Sequence, residues 1–201
     1  RYEGGGAAVL GSIQPQPLNH QSDGTIALAD IEGAIKPDDA HFARTRLLAL
    51  ENTIGGQVLP MAYLDGATAL ARQHGLATHL DGARLFNAAV ATGPDARAAA
   101  RAIADHFDSV SVCFSKGLGA PLGSALVGSR LLIERAYRHR KMLGGGMRQV
   151  GILAAAALHA LDHHIDRLTD DHANAMRLVE GLQGLLGVTV TMPQTNIVFV
   201  D

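Results

Sequence analysis

The sequence has few of the residues that cross-link or anchor a protein: it contains one cysteine, Cys113, no tryptophan and no long hydrophobic run. A single cysteine excludes an intramolecular disulfide and favours a reducing compartment, so we expect a cytoplasmic protein. The longest apolar run, at 150–158, is far shorter than the roughly 20 residues that span a bilayer, and we predict a buried helix there. Blocks of like charge are also absent, and the net charge of −2 predicts neither nucleic-acid nor membrane binding.

Glycine, by contrast, is abundant: 23 of the 201 residues are glycine, gathered in short clusters. Such clusters favour backbone that packs close to a ligand or to other backbone. The content of 47% hydrophobic and 18% charged residues is typical of a globular protein. The sequence begins within a glycine-rich connection and ends directly after a strand-like run, so we expect a piece of a longer chain.

Strand-like and helical segments alternate over the first two thirds of the sequence. Apolar strand-like runs at 45–50, 76–80 and 108–114 are separated by helical patterns, which predicts an α/β fold with a mainly parallel sheet. The later pattern is helical at 131–140, 150–163 and 170–186, followed by short strands at 188–192 and 196–200. We predict a large domain at 1–129, and interdomain helices with a small C-terminal domain at 130–201.

Two polar clusters follow predicted strands, at the edge where open α/β sheets bind ligands. One contains Asp81 and Arg84, and the other contains Ser115 and Lys116 within a glycine-rich turn. Each has a plainer interpretation, because Asp81 could cap the next helix and Lys116 could be a solvated loop lysine.

Taken together, the two clusters predict a site for pyridoxal phosphate (PLP). A lysine amine condenses with an aldehyde when it is neutral, so Lys116 could carry the cofactor as an imine. Asp81 could pair with the protonated pyridine nitrogen and keep the ring an electron sink. Arg84 could bind the phenolate oxygen of the cofactor or a substrate carboxylate.

Longer motifs resemble the low-specificity L-threonine aldolases, a family of PLP-dependent enzymes. The resemblance covers the whole sequence and is carried by the stretches 50–53, 79–88, 109–121, 140–149 and 194–200. It implies the aspartate-aminotransferase-like fold (fold type I) with large and small domains. It also implies cleavage of L-threonine or L-allo-threonine, a β-hydroxy amino acid substrate, to glycine and acetaldehyde.

The resemblance also assigns roles to residues. It implies that Lys116 is the imine lysine, that Asp81 pairs with the pyridine nitrogen, and that Arg84, Ser115 and Arg148 contact the cofactor or substrate. It implies a homo-oligomer, a dimer of dimers, with active sites at a subunit interface. The segment 144–149 would approach a cofactor there, although it could equally be a tight glycine connection between helices.

The sequence departs from the family pattern at a residue that could accept the proton of the substrate hydroxyl. Many members have histidine after the Glu-Asn-Thr motif, where this sequence has Ile54, which cannot transfer a proton. The base could be water, a histidine upstream of Arg1, or another group, and Glu51 could brace the site or be an ordinary loop carboxylate. The phosphate cup and one substrate-binding arginine of the family lie outside the matched stretch. This chain alone would therefore bind PLP weakly and show no useful turnover, whereas the prediction of an enzyme stands for a longer protein that contains it.

The remaining polar residues receive plainer predictions. The ten histidines show no metal-binding spacing, and we expect His163, His164 and His172 on helix surfaces. Asp170 and its neighbour Asp171 are predicted to cap the last long helix, and Cys113 to be inert core. The alternative functions are another PLP lyase of fold type I that catalyses β-elimination, or a non-catalytic interaction module.

Overall fold

The computed structural model describes residues 3–201, which form eight α-helices, four strands and one 3-10 turn. The turn is Glu3–Gly5 and the strands are β1 Leu47–Glu51, β2 Ala77–Gly82, β3 Ser109–Cys113 and β4 Ser124–Gly128. The helices are α1 Gly6–Gly11, α2 Leu28–Ala34, α3 Met61–Gln73, α4 Leu85–Thr92, α5 Ala96–Ala104, α6 Arg130–Met142, α7 Gly151–His163 and α8 Leu168–Leu182.

The four strands form one sheet in the order β1-β2-β3-β4. β1, β2 and β3 are parallel, and β4 runs antiparallel to β3. Helical crossovers connect the parallel strands, as parallel pairing requires. The predicted α/β fold with a mainly parallel sheet is therefore confirmed.

The two faces of the sheet differ in burial. Leu48, Leu50, Leu80, Val110 and Val112 alternate along the strands and lie within the main hydrophobic core. Their neighbours in sequence point to the opposite face, because successive side chains in a strand alternate. That opposite face, called the open face below, carries the polar side chains of the candidate site.

Helix α3 shows how local sequence defines an element in this fold. Leu64, Ala67 and Ala71 recur at helical spacing and are fully buried, so the helix packs on the core through one side. Pro60 occupies the N-cap position, and Gly75, at φ 66°, follows the C-terminal end. The sequence predicts both boundaries, because proline fits the first turn of a helix and glycine is favoured just after its end.

Helix α7 contradicts the prediction of a buried helix at 150–158. Ile152 is 82% exposed and Leu158 is 61% exposed, whereas Ala160 is the buried residue of the helix. An apolar composition does not specify what covers a helix, and this one packs through small residues near its C-terminal end. In the described part of the chain, no helix is both long and apolar enough to cross a membrane.

The C-terminal third differs from prediction in two further ways. Helix α8 begins after Arg167, so Asp170 and Asp171 lie in its first turn and do not cap it; there they still face the positive end of the helix dipole. The segments 188–192 and 196–200 do not form regular strands. They pair through an isolated bridge between Val190 and Val200 and through backbone hydrogen bonds of Thr189 with Asp201 and of Thr191 with Phe199.

Candidate active site

The carboxyl ends of β1 and β2 bring two carboxylates side by side. Glu51 is the register partner of Asp81, and Asp81 is in turn the partner of Ser111 on β3. Asn52 N donates to the Asp81 carbonyl at 3.0 Å, which extends the pairing of the two strands past Glu51. Directly opposite residues on parallel strands lie on the same face, so these side chains line one row of the open face.

Asp81 belongs to strand β2 and does not cap a helix. Its Oδ1 accepts a hydrogen bond from Ala83 N at 3.0 Å, and the N-cap of α4 is Arg84. The alternative interpretation of Asp81 as a helix cap is therefore wrong. The turn leaves Asp81 exposed at the sheet edge, with Arg84 half-buried beside it.

Lys116 lies in the loop that follows β3, and its side chain is exposed. No salt bridge within residues 3–201 involves Lys116, Asp81 or Arg84, so these charges are available to a ligand. Ser115, also exposed, places its Oγ 3.2 Å from the Sγ of Cys113. Cys113 is half-buried on the open face, which corrects the prediction of inert core.

The charged side chains act on one another across this edge. The pKa of the Glu51 carboxyl is raised, first by burial and then by the negative charge of Asp81. Arg84 and Lys116 oppose that rise with their positive charges. Asp81, Arg84 and Lys116, which lie at or just after two neighbouring strand ends, are therefore near enough to Glu51 for their charges to act on it.

Several polar atoms of the site are buried without a partner in the described residues: Arg84 Nε, Asn52 Nδ2 and Thr53 Oγ1. Buried polar groups normally have hydrogen-bond partners, so unpaired donors at a sheet edge fit a ligand that supplies acceptors. The backbone is also tightly packed here, because a Cβ on Gly82 would lie 2.8 Å from the Ser111 carbonyl oxygen.

Other predicted contributors lie elsewhere. Arg148 is exposed in the connection between α6 and α7, away from the strand ends in sequence and without a salt bridge in residues 3–201. Ile54 is half-buried in a tight turn with Gln57 and fills the space beside Gly24. Within the same described range, no group of three or more His, Cys, Asp or Glu side chains is placed to hold a metal ion.

The C-terminal motif at 194–200 packs against the loop after β1. Thr195 Oγ1 donates to the Gly56 carbonyl at 2.6 Å, and the Gln194 side chain accepts from Val58 N at 2.9 Å. The two motifs at 50–53 and 194–200 thus meet in space although more than half the chain separates them.

Two histidines that were predicted on helix surfaces are instead half-buried, and they contact the loop that carries Lys116 and helix α4. His164 is half-buried and its Nδ1 donates to the Leu118 carbonyl at 2.6 Å. His172 Nε2 accepts from Nδ2 of the buried Asn87 at 3.2 Å, and burial lowers the pKa of His172, which favours the neutral acceptor form. The sequence contained one signal for the contact between Asn87 and His172, namely a polar residue, Asn87, within the apolar pattern of α4.

Comparison with known proteins places the chain in a family. The family model described as beta-eliminating lyase matches residues 1–201. The low specificity L-threonine aldolase of Escherichia coli K12 is 53% identical over 199 residues, covering 99% of this chain and 58% of that protein. A probable low-specificity L-threonine aldolase 2 of Arabidopsis thaliana is 46% identical over 207 residues, covering 100% of this chain and 57% of that protein.

Solved structures agree with the sequence relatives. A putative L-allo-threonine aldolase from Listeria monocytogenes superposes with a TM-score of 0.81 at 25% identity, covering 99% of this chain and 54% of that one. The chain therefore has the architecture of PLP enzymes of fold type I, and it spans a little over half the length of the relatives it matches. With a family model that matches every residue, the chain belongs to the beta-eliminating lyase family.

Proposed function

We propose that the protein cleaves L-threonine and L-allo-threonine to glycine and acetaldehyde with PLP as cofactor. The observation that carries the proposal is the placement of Glu51 beside Asp81 at the carboxyl ends of β1 and β2, with Arg84 and Lys116 in the turns that follow β2 and β3. The 53% identity to a low specificity L-threonine aldolase supports the substrate class.

Members of this family depend on PLP, and the residues present fit that group. Lys116 would hold it through its amine, and Asp81 would face its ring nitrogen with an exposed carboxylate. Arg84, whose buried Nε has no partner in residues 3–201, would bind a cofactor oxygen or the substrate carboxylate. Ser115 is proposed as a further cofactor contact. Arg148, exposed between α6 and α7, is proposed to contact the cofactor at a subunit interface. When bound, the cofactor supplies an electron sink for the negative charge left on the α-carbon.

The chain's own residues would orient the substrate and move a proton. Cleavage breaks the Cα–Cβ bond, removes the proton of the β-hydroxyl and returns a proton to the α-carbon. Ile54 cannot accept the hydroxyl proton. Glu51, whose pKa is raised by burial and by Asp81, is the candidate acceptor in this chain, because a base works best when its pKa lies near the working pH.

We also propose a homo-oligomer, a dimer of dimers, in the cytoplasm, without a nucleic-acid or membrane partner. Apolar side chains exposed on α6 and α7 support self-association, among them Leu131 at 66% and Ile152 at 82% exposure. The division into a cofactor domain at 1–129 and a second unit at 130–201 is part of the same proposal.

The test is a product assay with L-threonine and PLP. The proposal predicts acetaldehyde and glycine in equal amounts, and loss of both in Lys116→Ala. Release of ammonia and a keto acid at an equal or greater rate would instead favour β-elimination, the reaction that the family description names. If the protein binds PLP but forms neither pair of products, the remaining alternative is a non-catalytic interaction module.

A further inference from the structure

The loop that carries Lys116 is closed by its own backbone. Phe114 N donates to the Gly123 carbonyl, and Ala120 N donates to the Phe114 carbonyl, both at 2.9 Å. Gly119 N donates to the Lys116 carbonyl at 2.9 Å, which makes a tight turn from Lys116 to Gly119. The direction of Lys116 therefore depends on what holds the far side of this turn.

A side chain from a distant part of the chain holds that far side. His164, which directly follows α7, donates from Nδ1 to the Leu118 carbonyl at 2.6 Å across 46 positions in sequence. Leu118 is 3% exposed, so water cannot readily replace this donor. A Cβ on Gly119 would lie 3.5 Å from the same Nδ1, so the imidazole also packs against the turn.

The near side of the turn is fixed by packing. A Cβ on Gly117 would lie 2.7 Å from Cδ2 of Leu168 and 3.2 Å from Oδ1 of Asn87. Leu168 is fully buried and Asn87 is 2% exposed, so neither can move aside easily. The turn is thus confined by α4 and α8, and the bond from His164 holds its remaining side.

We propose that His164 is a positioning residue for Lys116, acting through the carbonyl of Leu118. The inference rests on the proposed function in one respect, that Lys116 is the lysine that holds PLP. His164 would act through the backbone of the loop, by its bond to the Leu118 carbonyl, and not by contact with substrate or cofactor.

The experiment compares three variants of the full chain. His164→Leu keeps an apolar volume but removes the donor, and His164→Asn places an amide nitrogen close to the position of Nδ1. His163→Leu is the matched control, because His163 is the exposed neighbour in sequence, at the last position of α7. Each protein is titrated with PLP, read by the visible band of the lysine-bound cofactor, and trapped with borohydride to locate the label.

The readouts separate positioning from stability. Loss of a hydrogen bond to a buried carbonyl predicts about tenfold weaker PLP binding and about tenfold lower kcat in His164→Leu, with KM changed by less than about twofold because substrate contacts remain. His164→Asn should recover most of both, and His163→Leu should match wild type. A merely structural role would lower Tm and leave the PLP affinity and kcat of the folded protein unchanged.

Three results would overturn the inference. The first is wild-type PLP affinity and kcat in folded His164→Leu; the second is an equal loss in His164→Asn, which would show that the donor is irrelevant. The third is the absence of label on Lys116 in wild-type protein. That result would refute the proposed function itself, and it is recognised from the wild type alone, without any variant. If His164→Leu does not fold, His164→Asp replaces it. Aspartate is equal in size to asparagine but has no donor, so this variant should reproduce the loss of PLP affinity. Wild-type PLP affinity in His164→Asp would refute the inference.

Discussion

Gly82→Ala should separate β2 from β3 at the end of the sheet where Asp81 lies. Gly82 is buried at the last position of β2 and pairs with Val112 of β3. Its added Cβ would lie 2.8 Å from the Ser111 carbonyl oxygen, 3.0 Å from Cγ1 of Val110 and 3.2 Å from Cβ of Leu85. The first of these atoms is backbone and cannot rotate away, so the strands themselves must shift.

The expected loss of stability follows from how close the added Cβ would lie to these atoms. Ordinary contacts begin at 3.4 Å, so the Ser111 carbonyl must retreat by about 0.6 Å, and two further neighbours must yield as well. Overpacking of this kind typically costs about 1–3 kcal/mol of stability. Because Asp81 is the preceding residue, the same shift should weaken PLP binding.

Urea denaturation of Gly82→Ala and wild type measures the cost, with a PLP titration of each folded protein beside it. Gly93→Ala is the matched control, since its Cβ would meet nothing within 4 Å and its φ of −173° is extended backbone; a change within about 0.5 kcal/mol is expected there. Equal stability and PLP affinity in the two variants would refute the close packing of β2 on β3 described above.

Three further predictions concern Glu51 in the site and two buried residues, Leu168 and Asn87, that pack against the loop of Lys116. Glu51→Gln should flatten the pH dependence of stability. The folded-state pKa of Glu51 is raised above its ordinary 4.5, so the native state binds more protons, and wild-type stability falls as pH rises from about 4.5 through that raised value. Urea midpoints that vary with pH equally in the variant and in wild type would contradict this. Leu168→Ala, at a fully buried position, should cost about 2–5 kcal/mol in urea denaturation, whereas Leu186→Ala, at a fully exposed position, should change stability by less than about 0.5 kcal/mol. Asn87→Ala should cost about 1–3 kcal/mol because it leaves His172 Nε2 without its donor, and thermal melts that match wild type would show that this bond contributes nothing.

The sheet and the site edge could be predicted because their signals are local. Periodic apolar residues and a terminal glycine were enough to define α3, and short apolar runs defined β1, β2 and β3. Polar residues directly after two such runs, Asp81 and Lys116, had to lie at the same sheet edge once the strands were parallel. The register that places Glu51 beside Asp81 then followed from the structure.

Contacts between distant parts of the chain could not be predicted. The bond from His164 to Leu118 and the pair of Asn87 with His172 join segments 46 and 85 positions apart, and no local pattern encodes such distances. The exposure of Ile152 was missed for a related reason: composition shows that a helix is apolar but not what covers it. The segments 188–192 and 196–200 had strand-like composition, yet they pair only with each other, through an isolated bridge and a few backbone hydrogen bonds.

The central claim, that Lys116 holds the cofactor, can be measured directly. Borohydride reduction of the protein with bound PLP, followed by peptide mass mapping, locates the labelled lysine among the three in the chain, Lys36, Lys116 and Lys141. The account predicts stoichiometric label on the Lys116 peptide and none in Lys116→Ala. Label on Lys36 or Lys141 that persists in Lys116→Ala, or no label on the wild type, would contradict it.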